Sequence, residues 1–273
     1  SNYAKAIEWH QQCFAIWKEM DNKPGMASSY NNLGNIYSER SDYVNALKHY
    51  QKGLDLIETS NKQKAGTYYS NIGSIYLYQG IYPKALEQFQ KALTLCEERN
   101  DQKGMGVAYN NIGVIYGNIG DTTKAVGYFQ KSVDINKELR DKHGLAESYS
   151  NIGIIKKAQG DYEQALDYQQ KSLALEKDLD NRQGIANIYG NIGEIYAAQD
   201  NIQLALENFQ RGLMLAEELG NRDKAAIATI NISMLYLKQR RFKSAETLAK
   251  NALKLTEELG IITSQRDASK LLY

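Results

Sequence analysis

Apolar residues recur at helical spacing along the whole chain. Tyr109, Ile112, Ile115 and Tyr116 fall on one side of a helix, with asparagine and glycine between them. The same stretch returns as Tyr30-Asn31-Asn32-Leu33-Gly34-Asn35-Ile36-Tyr37, and again at Tyr69 to Tyr76 and Tyr189 to Tyr196. Tyr149 to Lys156 and Thr229 to Tyr236 are weaker copies. Its glycines stand at 34, 73, 113, 153 and 193, Ser233 holds the sixth place, and the steps are 39, 40, 40, 40 and 40. A fixed period in this range predicts stacked repeats, each packing only on its neighbours.

Each unit reads helix–turn–helix. The first helix starts after a polar turn at Asn22, Asn61, Asp101, Asp141, Asn181 and Asn221, residue types whose side chains accept the unpaired N–H groups of a first helical turn. Gly80, Gly120 and Gly160 mark the turn that follows, because glycine reaches positive φ without a Cβ clash. The second helix carries Ala46, Ala85, Ala125, Ala165, Ala205 and Ala245, with an aromatic four residues on at Tyr50, Phe89, Phe129 and Phe209. Glycine inside a helix costs about 1 kcal/mol relative to alanine. Five such glycines at one phase predict close packing of the first helix on the second, with glycine facing alanine and the aromatic rings filling the space above and below.

These signals divide the chain into the second helix of a truncated repeat (1–20), six repeats (22–60, 61–100, 101–140, 141–180, 181–220 and 221–260) and the start of a further first helix (261–273). The expectation is one stack, cut from a longer protein, because neither end carries a polar capping face. The residue missing from the 39 step falls between Leu56 and Asn61 and predicts a tighter turn there.

Composition narrows the function classes. With 33 basic and 32 acidic residues and a net charge of +1, the chain lacks the basic excess a nucleic-acid binder needs. No apolar run approaches the length of a membrane span. Cys13 and Cys96 lie two repeats apart, beyond the reach of a disulfide, and are expected to be buried small residues. There is no G-x-S-x-G, H-E-x-x-H, Walker loop or C-x-x-C. His10, His49 and His143 fall at three different repeat phases, so no shared metal site is expected. No catalytic role and no cofactor follow from the sequence. The pairs Glu97-Glu98, Glu217-Glu218 and Glu257-Glu258 end second helices and read as a solvated face.

The small residue of the first helix, the tyrosine three later, Gly160-Asp161-Tyr162 at the turn, the alanine and the aromatic four residues on together resemble the tetratricopeptide repeat. The resemblance covers nearly the whole chain. The period exceeds the usual 34 of that family and is similar to the longer-helix variety of kinesin light chains, of the LGN/Pins scaffolds, and of regions joined to bacterial sensor histidine kinases or cyclases. It implies an all-α, right-handed superhelical solenoid of antiparallel helix pairs. The fourth unit departs from the pattern at Lys156 and Gln169, the sixth at Thr229, Ser233 and Ala249. Looser packing is expected at both.

The resemblance further implies that first helices line a concave groove. Asn32, Asn71, Asn111, Asn151, Asn191 and Asn231 repeat in every unit, although asparagine is a poor helix-interior residue. Its amide suits two roles: holding the main chain of an extended peptide, or bonding a neighbouring helix. Both can coexist in different units. The rest of the groove would come from Asn31, Ser70, Asn110, Ser150, Gly190 and Ile230, and from Asn35, Ser74, Val114, Ile154, Glu194 and Met234. Glu39, Tyr78, Asn118, Lys157 and Lys238 follow one turn on. The asparagine column holds no Lys or Arg, so a receptor for the carboxyl-terminal tails of Hsp70 or Hsp90 is not expected. The reading is a scaffold that binds a peptide or protein segment, cytoplasmic, or periplasmic if part of a bacterial sensor. Its partners exclude nucleic acid and, in this segment, membrane. The alternatives are a regulatory input region for a signalling domain beyond the carboxyl terminus, and a structural spacer.

Overall fold

The computed structural model describes residues 3–58, 62–259 and 262–271. The described residues form α-helices joined by short turns, and no strand occurs among them. Backbone packing divides the chain into two units, residues 1–139 and 140–273. The first holds α1 (Tyr3–Glu19), α2 (Lys23–Glu39), α3 (Tyr43–Ile57), α4 (Lys62–Tyr78), α5 (Tyr82–Glu97), α6 (Gln102–Asn118) and α7 (Thr122–Glu138). The second holds α8 (Lys142–Ala158), α9 (Tyr162–Asp178), α10 (Arg182–Ala198), α11 (Ile202–Glu218), α12 (Arg222–Lys238), α13 (Phe242–Leu259) and α14 (Ile262–Lys270). Within each unit every helix packs on the next in sequence. First helices α8, α10, α12 and α14 also touch one another.

Helix starts follow the polar signals. Asn22, Asp101, Asp141 and Asn181 accept the N–H of Gly25, Gly104, Gly144 and Gly184 at 2.9–3.1 Å, and Asn221 accepts that of Lys224 at 3.1 Å. Asn61 and the core of the Leu56–Asn61 turn lie outside the described residues. Second helices are capped in the same manner by Asp42, Asp121, Asp161 and Asn201. Pro24 and Pro83 stand in the first turns of α2 and α5, where a missing N–H costs nothing. The turns repeat one backbone device. Gly80, Gly120 and Gly160 take φ of 71–86°, and Ser41, Asp200 and Arg240 adopt the same left-handed conformation with φ of 58° at the equivalent places.

The glycines meet the aromatic rings directly, and at Gly153 the carbonyl of the facing alanine, Ala165, also lies 3.2 Å from an added Cβ. A Cβ on Gly113 would stand 2.7 Å from the Phe129 ring, one on Gly193 2.7 Å from Phe209, and one on Gly34 2.4 Å from Tyr50. Ala46, Ala85, Ala125, Ala165 and Ala205 lie fully buried on the same second helices. The ring is the larger object, so it takes the space that the absent side chain vacates.

The two departing units are repacked, not loosened. Gln169 replaces the ring and is 0% exposed. Its Nε2 donates to the Ser150 carbonyl at 2.9 Å and its Oε1 accepts from the Ser150 hydroxyl at 3.3 Å. A buried amide with both ends bonded avoids the cost of desolvation. In the sixth unit Ala249 takes the place of the ring, and Ser233, at the glycine position, donates to the Ala245 carbonyl at 2.7 Å.

Tyrosine usage also has a periodic cause. Lys52, Lys91, Lys131 and Arg211 of second helices lie over the Tyr30, Tyr69, Tyr109 and Tyr189 rings of first helices at 5.2–5.7 Å. Such contacts are worth about 0.5–1 kcal/mol at exposed sites. The acidic ends of second helices are less idle than expected. Asp178, Glu218 and Glu258 pair with Lys142, Arg182 and Arg222 at the start of the first helix of the same repeat. Cys96 is half-buried, not enclosed. It packs on Gly104, and burial pushes its thiol pKa up.

Candidate functional site

The asparagine column follows from helical geometry. Each asparagine sits two residues before the glycine, so it borders the buried stripe, and all six are half-buried. Asn71 and Asn191 make the neighbouring-helix bond. Asn71 donates to Asn31 Oδ1 at 2.9 Å, from α4 to α2. Asn191 donates to Ser150 Oγ at 3.1 Å and approaches Gln169 Oε1 at 3.5 Å. Asn231 has no hydrogen-bond partner for its amide among the described residues.

In the first unit the other expected groove residues take structural partners or stand apart. Asn35 accepts the Tyr50 hydroxyl at 2.8 Å, which ties it to the ring packed on Gly34. Tyr78, 66% exposed, stacks on Tyr43 with ring centroids 6.2 Å apart, at the hairpin turn. Asn32, Asn110 and Asn111 are half-buried on α2 and α6.

The second unit brings Asn191, Glu194 and Asn231 together. They line a cavity of ≈ 120 Å³ between α10 and α12. Gly190 leaves its space open, and Gly212 lets α11 pack closely on α10. A Cβ on Gly190 would meet nothing within 4 Å, and one on Gly212 would stand 3.2 Å from the Ala186 carbonyl. A second cavity of ≈ 450 Å³ shares Glu194, Phe209 and Asn231 with the first. It runs toward the carboxyl-terminal ends of α8, α10 and α12, over Ala197, Ala198, Met234 and Leu235. That size is in the range of ligand sites.

Charge is placed at the rim. Lys157 pairs with Glu194 across α8 and α10. Lys238 lies 3.4 Å from Asp200. Exposed pairs of this kind are worth about 0–1 kcal/mol, so they yield readily to a better partner. Lys157 stands one residue before the column assigned to it, where Ala158 is found, yet it still reaches the cavity. Sequence reasoning missed Lys224, Ile227 and Asn187, which line the smaller cavity. Ile227 and Asn187 stand four residues before Asn231 and Asn191, on the same helix face, and that spacing was the available signal. Ile227 is 41% exposed and Met234 43%. No described helix is long and apolar enough to cross a membrane.

Comparison with known proteins agrees with the geometry. The chain is similar to BtubC from P. vanneervenii, with a TM-score of 0.68 at 16% identity over 81% of this chain and 93% of that one. The Rap conjugation gene regulator of plasmid pLS20, in complex with the Phr* peptide, gives 0.70 at 16% identity over 94% and 75%. A signal transduction ATPase with numerous domains and a tetratricopeptide repeat sensor, from Pyrococcus horikoshii, gives 0.69 at 16% identity over 96% and 43%. No curated protein matches the chain in sequence. The sequence profile of the tetratricopeptide repeat matches residues 1–59, 40–98, 63–138, 104–178 and 184–258. Because that profile covers most of the chain, the chain belongs to the tetratricopeptide-repeat family.

Proposed function

We propose that the chain is a non-catalytic interaction module that holds a peptide or protein segment on its first-helix wall. The observation that carries this reading is the pair of adjoining cavities on α10 and α12, which share Glu194, Phe209 and Asn231. They combine an apolar floor with a small number of amide and charged groups, the composition of a binding site. The Rap regulator with its Phr* peptide has the same fold, which makes a peptide ligand reasonable here. In this reading Asn231 and the carbonyl end of Asn191 meet the main chain of the bound segment, and Glu194 accepts one of its donors. In the other unit Asn71 and Asn31 hold neighbouring first helices and Asn32, Asn110 and Asn111 stand half-buried on theirs, while Asn151 stands at the same phase on α8.

Gly190→Leu tests it. The position has open space for a side chain, and leucine favours a helix over glycine by about 0.5–1 kcal/mol. The variant should fold, as circular dichroism would show, yet fill the smaller cavity. Binding of segments selected from a displayed random peptide library should weaken about tenfold or more in Gly190→Leu and in Asn231→Ala, equivalent to about 1.4 kcal/mol. Unaltered binding in both would remove the groove from the function.

A further inference from the structure

The residues around the two cavities favour one ligand chemistry, and this inference rests on the groove reading above. Four titratable side chains line them: Lys157, Lys224, Lys238 and Glu194. Three are cations and one is an anion, although the whole chain is close to neutral. The carboxylate is already matched by Lys157. Lys224 has no ion-pair partner among the described residues, and Lys238 pairs at 3.4 Å with Asp200, whose side chain is 81% exposed.

The cations also have a useful spacing. Lys224 is in the first turn of α12 and Lys238 is its last residue. Fourteen residues of helix span about 21 Å at roughly 1.5 Å per residue. An extended chain covers that distance in about six residues, at roughly 3.3–3.6 Å each. Between the two ammonium groups lies the apolar stretch of Ile227, Met234 and Leu235 on α12, facing Ala197 and Ala198 of α10. The first unit shares one of these cations, Lys64 at the phase of Lys224, but has Glu39, Tyr78 and Asn118 at the phase of Lys238.

We propose that the groove between α10 and α12 takes an internal, extended acidic segment. Two side-chain carboxylates about six residues apart meet Lys224 and Lys238, and a large apolar side chain between them enters the larger cavity. Carboxylates bonded to ammonium groups contribute more than neutral contacts do. Apolar burial supplies the rest of the affinity.

The test selects a displayed library of random dodecapeptides on the full chain. Enriched sequences are then synthesised with acetylated and amidated ends, so that no terminal charge substitutes for a side chain, and affinity is read by fluorescence anisotropy. The expected result is enrichment of paired Asp or Glu around Leu, Ile, Met or Phe. Affinity should fall about tenfold in Lys224→Glu and in Lys238→Glu, and fall further with added salt. Lysine-for-acid versions of the same peptides should regain binding in the double variant. Peptides that lose affinity in Gly190→Leu but show no acidic bias and ignore both charge reversals overturn this inference and leave the groove reading standing. Peptides indifferent to Gly190→Leu as well, or a library with no enrichment, overturn both.

Discussion

At the scale of single residues the structure is organised by exchanges of volume. Glycine opposite a ring, and serine bonded to an alanine carbonyl with Ala249 at the ring position, are two solutions to one packing problem, seen at Gly113–Phe129 and Ser233–Ala245. Phe129→Ala alone leaves a void and should cost about 3–5 kcal/mol. Gly113→Ser alone crowds the ring and should cost about 1–3 kcal/mol. Because each change relieves the other, the double variant should be more stable than the sum predicts by about 1 kcal/mol or more in denaturant titration. Strict additivity would mean the two sites do not share that space. His49 is a second residue-scale case. Its ring stacks on Tyr37 at 5.2 Å, and its Nδ1 is buried with no partner. Burial, then Lys52 and Lys48, lowers its pKa. Below the ordinary value of 6.5, the unfolded chain takes up a proton that the folded ring resists, so stability falls as pH drops through that range. Tyrosine stands at this phase in the third and fourth units, as Tyr128 and Tyr168. His49→Tyr should therefore raise the melting temperature more at pH 5.5 than at pH 8. An equal gain at both would show that protonation of His49 is not coupled to folding.

At the scale of helices and turns, the repeat keeps its geometry where its residue types change. Arg240, with φ of 58°, does at one hairpin turn what Gly160, with φ of 79°, does at another. A left-handed conformation costs a residue with a Cβ roughly 1–2 kcal/mol, part of which glycine loses again through its freer unfolded chain. Arg240→Gly is expected to stabilise the protein by about 0.5–1 kcal/mol. A loss of stability on thermal melting would show that the arginine side chain, not the turn, governs this position. The ion pairs of Lys142, Arg182 and Arg222 with the ends of α9, α11 and α13 are exposed. They align helix ends and add little to stability.

At the scale of the whole molecule, contacts run between sequence neighbours, within each unit, from helix to helix. Local contact of this kind makes stability a sum of repeat and interface terms. A core lesion should then be felt nearby and not far away. Phe209→Ala removes a ring packed on Gly193 and bordering both cavities. Hydrogen exchange should lose protection in α10, α11 and α12 while α2 to α5 keep theirs. Uniform loss along the chain would mean that it unfolds as one cooperative body.

The repeat period, the helix boundaries and the caps were legible in the sequence, because each depends on local chemistry. Side chains accept N–H groups within three residues, and apolar residues recur with the helical turn. The asparagine column was equally visible, but its two roles were not separable. Whether an amide meets a neighbouring helix, as at Asn71 and Asn191, depends on what stands forty residues away. Likewise Gln169 and Ser233 looked like flaws until their partners, the Ser150 and Ala245 carbonyls, were in place. The cavities beside Gly190 and the meeting of Lys157 with Glu194 were also decided by tertiary packing, since open space and charge proximity arise only when separate helices are brought side by side.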